Sequence, residues 1–356
     1  MDLHEKLSLA LQRCGYAPLQ TPGDYQHIGA GAWHDAYQVQ SPGADALVVR
    51  LRKQIIYGCE ERWDPAALHA DYAPVGLYYE MANRCRPGTC PAIYHYDTGR
   101  DLVFTLESYI AGRPLPLAAL PEPEAFAIGV SLGEFFQAMH EQAAPLPGSG
   151  LLTWGDQGVC AASPDTGAAW WRHYEERAMQ QVETLSRALL GLSRDALQHQ
   201  TAEALTCLRE ERLPIALINR DITPENLITQ NHVWVGLVDP VPMQESGMYY
   251  AAFFLHCYRR YLPALGRAPR YQRHSFHEHA RIMAIIADGY EAGYSHSRRE
   301  VRQRLRLGEW LWILDMACES YELLQHGLSQ EKRLCHGDEA NVAAALALSV
   351  RELTEW

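Results

Sequence analysis

Hydrophobic positions along the chain fall into two regimes. Up to about residue 110 they alternate with polar ones in short runs, the spacing of half-buried strands, and beyond it they recur mostly at helical intervals. Leu3, Leu7, Leu9, Ala10 and Leu11 predict a short amphipathic helix ending near Gly15, with a proline-bearing linker on to Gly23. Residues Tyr25 to Val39 read as strand, turn, strand, with Gly29-Ala30-Gly31 at the turn. A further strand, Ala46 to Leu51, follows the turn Ser41-Pro42-Gly43-Ala44-Asp45. A helix is predicted over Val75 to Arg84, then a strand pair around Ala92-Ile93-Tyr94 and Leu102-Val103-Phe104. Later come a helix ending at Met139-His140, a largely helical insertion between Gly148 and Glu211, and an apolar strand from Val233 to Asp239. Apolar helices follow from Tyr249, over Arg302 to Gln325, and over Ala340 to Leu353.

With 47% hydrophobic and 21% charged residues among 356, the chain has the composition of an ordinary globular protein, long enough for two lobes. A net charge of −12 argues against nucleic-acid and anionic-membrane partners and permits a cationic substrate. Nine cysteines, odd in number and without a Cys-x-x-Cys pair, point to a reducing cytoplasm rather than a disulfide framework or zinc ribbon. The first residues lack the basic and apolar regions of a signal peptide, and no apolar run reaches membrane-spanning length.

Chemistry concentrates between Asn219 and Asp239. Asp221, Asn226 five residues on, and Asp239 at the end of an apolar strand are the polar groups that kinase-type phosphoryl transfer requires. Asp221 is the candidate to orient and accept the proton of a substrate hydroxyl. Asn226 and Asp239 offer hard oxygen ligands to Mg²⁺ on the phosphates of ATP. Upstream, the small residues Gly29 and Gly31 would let backbone N–H groups approach phosphate. Arg50, on the strand after them, is the candidate phosphate cation, with Arg52 and Lys53 as alternatives. Glu80 on the predicted helix would orient it, with Glu60 or Glu61 in reserve. The segment after Phe104 has the position of a hinge, where the Ser108 carbonyl and the Ile110 N–H would meet the adenine edge. Trp154, Trp170, Trp171, His173 and Tyr174 in the insertion are expected mainly to pack, Trp154 being the better binding candidate. His274, His277 and His279 lack the spacing of a helical zinc pair and are expected at a solvated surface.

The order Gly turn, Arg strand, Glu helix, hinge ending in Ile110-Ala111-Gly112, catalytic loop and Asp239 resembles the aminoglycoside phosphotransferase and choline kinase group of the protein-kinase-like superfamily. Ser131 to His140 and Asp288-Gly289-Tyr290 resemble further segments of that family. The resemblance implies an α+β, two-lobed kinase-like fold, with a nucleotide-binding lobe over 1–110 and a helical lobe over 111–356. It implies transfer of the γ-phosphoryl group of ATP, with Mg²⁺, to a hydroxyl of a small molecule such as an amino sugar or amino alcohol. Three departures stand out: Asn219-Arg220 where the family has His-Gly, Pro240 where Phe is usual, and Tyr249-Tyr250 where an Asp braces the loop. They make a catalytically silent, nucleotide- or partner-binding pseudokinase the alternative. The connection after Asp239 is too short for a protein-substrate platform.

Overall fold

The alternating first third of the chain folds as an antiparallel sheet. The computed structural model describes residues 1–56, 59–188, 191–209 and 215–356; Glu211, the expected end of the insertion, lies outside them. Helix α1 (Leu3–Arg13) starts on a capping box made by Asp2 and Glu5. It is followed by β1 (Tyr25–Ala30), β2 (His34–Val39), β3 (Leu47–Arg52), a small hairpin of β4 (Ile55–Ile56) and β5 (Cys59–Glu60), helix α2 (Pro65–Cys85), β6 (Tyr94–Gly99) and β7 (Leu102–Ser108). The sheet order is β1-β2-β3-β7-β6. Its inward face, including Val39, Leu47, Val49, Phe104 and Leu106, buries Leu7 and Leu11 of α1 in one apolar core. Helix α2 begins ten residues before the predicted Val75 because Asp64 caps it and Pro65 opens it, a start signal stronger than the apolar spacing alone.

The remaining elements are β8 (Arg113–Pro114), α3 (Glu122–His140), β9 (Ser149–Gly155), β10 (Gly158–Ser163), α4 (Ala168–Ala188), α5 (Arg194–Arg209), β11 (Ile215–Asn219), β12 (Leu227–Gln230), β13 (Val233–Leu237), β14 (Pro242–Ser246), α6 (Gly247–His256), a π-helical turn (Cys257–Tyr261), α7 (Leu262–Leu265), α8 (Ala280–Ser295), α9 (Arg299–His326), α10 (Gln330–His336) and α11 (Glu339–Glu355). The whole is an α+β protein of two lobes. Tyr78, Tyr79, Met81 and Ala82 of α2 join the large core built by α3, α6, α8 and α9, so α2 ties the two lobes together.

Helices α3 and α8 approach until their backbones touch. A methyl group on Gly129 would strike Ile286 O, one on Gly133 Tyr290 O, one on Gly289 Phe126 O and one on Gly293 Val130 O. Four glycines one turn apart on facing helices therefore set this contact.

The insertion is not helical throughout. Residues 149–163 form the β9–β10 hairpin, joined through Gly155-Asp156-Gln157-Gly158, and β9 pairs with β14 to give a sheet of order β10-β9-β14-β11. Gly158, at φ +102°, makes this turn possible. Trp154 does not stand free on a loop; its ring stacks on His69 of α2 with centroids 4.7 Å apart. Among the described residues no helix is long and apolar enough to cross a membrane. All nine cysteines are free thiols.

Candidate active site

Strand β11 leads into the Asp221 loop, the candidate catalytic loop, and the segment entering β14 holds it. Asn219, buried at the end of β11, accepts from Asp221 N (2.9 Å) and Val241 N (2.9 Å) and donates to Asp221 O (2.7 Å). One amide side chain thus clamps both sides of the loop, so the departure from His at 219 supplies its own brace. The Asp221 carboxylate accepts from the backbone N–H (3.2 Å) and hydroxyl (2.8 Å) of Thr223. Burial raises its pKa, the Thr223 bonds oppose this, and the charge of Asp239 pushes the same way as burial. Tyr258, itself buried, donates to Ile222 O at 3.0 Å and fixes the loop from below. The β12–β13 turn is made by Asn231 and His232, both at positive φ.

Asp239 sits just beyond β13 at φ +54°, an uncommon conformation for a residue ahead of proline, and neighbours hold it there. Its N–H donates to Tyr79 Oη (3.2 Å), and its carbonyl accepts from Asn226 Nδ2 (3.5 Å). The Asp239 carboxylate is half exposed, and Arg50 Nη1 lies 3.6 Å from it. Two oxygen-bearing side chains, the Asp239 carboxylate and the Asn226 amide, are thereby held on adjacent backbone in the donor chemistry that suits Mg²⁺.

Arg50 is oriented by Glu107, not by Glu80. Its Nε donates to Glu107 Oε1 at 2.9 Å, and Tyr79 donates to the other oxygen at 3.0 Å. Burial disfavours the charge on Arg50, but Glu107 and then Asp239 outweigh it and raise its pKa. Glu80 lies on the outer face of α2, well exposed, and pairs with Arg84 one turn on. Its helix position turns it about 100° from Tyr79, which faces in. The reserves fail as orienters of Arg50 as well: Glu61 pairs with Arg52 at 2.8 Å and Glu60 is exposed on β5. Arg52 is also held by Asp71 at 3.1 Å and Lys53 by Asp35 at 3.4 Å, leaving Arg50 as the cation beside Asp239. Glu107 was not among the residues singled out in the sequence; its one local signal is a lone carboxylate in an apolar strand, a placement that calls for a buried partner.

Gly29 lies inside β1 at a bulge in the β1–β2 pairing, while Gly31 opens the turn. Gly31 N donates to His34 O (2.9 Å), Lys53 Nζ to Gly31 O (2.7 Å), and Lys53 N to Trp33 O (2.9 Å). With the Gly31 carbonyl turned to Lys53, the trans peptide points the Ala32 N–H the other way. His34 bonds Tyr72 Oη through Nε2 (2.8 Å); burial, reinforced by Arg50, Arg52 and Lys53, pushes its pKa down to about 4 against the pull of Asp239. At the hinge, Tyr109 N donates to Ala46 O (3.0 Å), Ser108 N to Ile93 O (3.1 Å) and Ala92 N to Ser108 Oγ (2.8 Å). Ile110 packs its side chain over Gly236.

On the other side of the loop, Tyr250 of α6 lies within electrostatic reach of Glu245 on β14 and of Arg220 just past β11, and burial, with Glu245 adding to it, raises its pKa. Burial raises the Glu245 carboxyl to about 7, opposed by the Ser246 N–H, Arg177 and Trp170. Trp171 and Tyr174 are buried, and Tyr174 packs edge-on to Tyr249 at 4.8 Å. Tyr249 stacks on Trp312, so it fills core volume at one of the two positions noted as departing from an acidic brace. His274 is not at a solvated surface: it stacks on buried Phe276, and its Nε2 lies 3.0 Å from Glu225 Oε2 in the catalytic loop. Among the described residues no group of three or more His, Cys, Asp or Glu could hold a metal ion.

The profile of the phosphotransferase enzyme family, APH, matches residues 24–246. Comparison with curated proteins finds no match. Among solved structures, a thermostable mutant of aminoglycoside phosphotransferase APH(4)-Ia in its apo form is similar with TM-score 0.50 at 16% identity, over 97% of this chain and 98% of that one. A second mutant of that enzyme, in ternary complex with ADP and hygromycin B, gives TM-score 0.52 at 14% identity over 98% and 97%. A choline/ethanolamine kinase family protein from Mesorhizobium loti gives 0.50 at 13% over 99% and 98%. These identities speak to the fold alone, which is kinase-like. The matched span runs from the Gly turn through the catalytic loop to β14, more than half of the chain: the protein belongs to the phosphotransferase enzyme family.

Proposed function

We propose that this chain transfers the γ-phosphoryl group of ATP, with Mg²⁺, to a hydroxyl of a small molecule. The observation that carries the reading is the convergence of Asp221, Asn226 and Asp239 with Arg50, whose guanidinium spans Glu107 and Asp239. The metal, when bound, neutralises phosphate charge; Asp239 and Asn226 are the residues that would hold it. Asp221 orients the acceptor hydroxyl and takes its proton, and its raised pKa strengthens it as a base. Arg50 holds the nucleotide phosphates, Gly29 and Gly31 let the turn close over them, and Ser108 O with Ile110 N–H takes the adenine edge. Residues 1–110 form the nucleotide lobe and 111–356 the lobe that brings loop and acceptor together.

An amino sugar or amino alcohol is the favoured acceptor class, in keeping with the net charge and with Glu245 beside Tyr250 on the acceptor side of the loop. Asn219 supports turnover over the silent alternative, because its three hydrogen bonds do the bracing that the departures put in question. Free thiols throughout suit a cytoplasmic enzyme.

An ATP-consumption screen over amino sugars, amino alcohols, hydroxy amino acids and nucleosides tests the reading. One class is expected to be phosphorylated, and Asp221→Asn to lower that turnover by about 10²-fold or more while ATP affinity stays near the parental value. Parental turnover in the variant would remove Asp221 from its role.

A further inference from the structure

We propose that Arg273 is a positioning residue that fastens the Gly29-Ala30-Gly31 turn down onto the catalytic loop. The proposal rests on the nucleotide reading above. Arg273 comes from the segment between α7 and α8, far from the turn in sequence. Its Nη1 donates to Ala30 O at 2.8 Å, and its Nη2 lies 3.1 Å from Glu225 Oε2, between Asp221 and Asn226. One guanidinium fork therefore joins the cover of the phosphate site to the loop beneath it, across the cleft.

The base of this tie is held firmly. His274 stacks on Phe276, which is 1% exposed, and approaches the same Glu225 oxygen. Arg270 N donates to Leu334 O (3.0 Å), anchoring the segment to α10. Lys53 fixes the turn from within the small lobe, through Gly31 O, whereas Arg273 reaches it from the large lobe. A nucleotide beneath the turn leaves by breaking the Arg273 bridge, so the bridge governs how long ATP and ADP stay.

The test uses Arg273→Ala, Arg273→Lys, Glu225→Gln and the double variant Arg273→Ala/Glu225→Gln in the full chain. Arg273 is more than half exposed, so its removal leaves the core untouched. Arg273→Ala should raise KM for ATP and the ADP dissociation rate about two- to fivefold, the range for a partly exposed charged bridge, with the change on KM rather than kcat. Glu225→Gln should do the same and the double variant no more, because both act through one bridge. Lysine keeps the charge but cannot hold both ends, so Arg273→Lys should resemble Arg273→Ala. In protein without nucleotide, hydrogen exchange of the amides over 29–33 should quicken in each variant. Unchanged exchange, full rescue by lysine, or a fall in kcat for Arg273→Ala that Glu225→Gln does not share would overturn the proposal. If the parental protein binds no nucleotide, the kinase reading fails, and exchange over 29–33 still decides the bridge.

Discussion

Arg50 is where a single side chain decides between two wirings of the site. Its contacts predict that Glu107→Gln and Arg50→Met weaken ATP binding and that the double variant is little worse than either, since they share one interaction. Glu80→Gln, on the exposed face of α2, should leave ATP affinity at the parental value. Additive losses for Arg50 and Glu107, or a loss at Glu80, would reverse the assignment. Glu245 yields a stability prediction with a defined sign. Its folded pKa of about 7 stands above the unfolded value of about 4.3, so the folded state binds the extra proton between those values. Stability attributable to this group is therefore greatest below the lower value and is lost as pH rises toward 7. Glu245→Gln should stabilise the protein by ~3 to 4 kcal/mol at pH 8 and change little at pH 4, checked by denaturant melts. The proposed roles of Asp221, Asn226 and Asp239 could be read from residue type and short spacing within one loop. Glu107 and Arg273 were harder to find, because each acts through a partner distant in sequence.

Helix α2 shows what periodicity reveals and what it leaves out. Val75, Tyr78, Tyr79 and Ala82 recur at helical spacing and are all buried, and Glu80 lies off that stripe. The same rule that predicted the helix could have turned Glu80 outward and brought Tyr79 in. The β9–β10 hairpin was hidden for a different reason: its strands carry Gly150, Gly155 and Gly158 with few β-branched residues, and they are anchored by pairing with β14, a contact between distant segments. Glycines in α3 and α8 carry the element-scale prediction. Gly133→Ala should destabilise by ~1 to 3 kcal/mol or more, although alanine favours helix by up to ~1 kcal/mol, because its methyl meets backbone on α8 that cannot yield. Gly76→Ala in α2, where the methyl meets only the Tyr94 ring edge at 3.3 Å, should cost less. Equal stabilities for the two variants would deny that α3 and α8 touch through their backbones.

Across the whole molecule, two regimes of periodicity become an antiparallel sheet on its own core and a helical body on another, with α2 joining them. Every group assigned to phosphoryl transfer lies where these parts meet: Arg50 and Glu107 from the sheet, Tyr79 from α2, Asp221, Asn226 and Asp239 from the helical body. This meeting place is the proposed site of ATP with Mg²⁺, held through Asp239. A ligand that binds only the folded state stabilises it by about 2.7 kcal/mol at a hundred times its Kd. On the order of 2 to 4 °C per kcal/mol for a domain of roughly 200 residues, saturating ATP with Mg²⁺ should raise Tm by several degrees. Asp239→Asn should fold normally and lose most of that rise, and leaving out Mg²⁺ should do the same to the parental protein. A parental Tm that does not move with any nucleotide, with or without metal, would contradict the account.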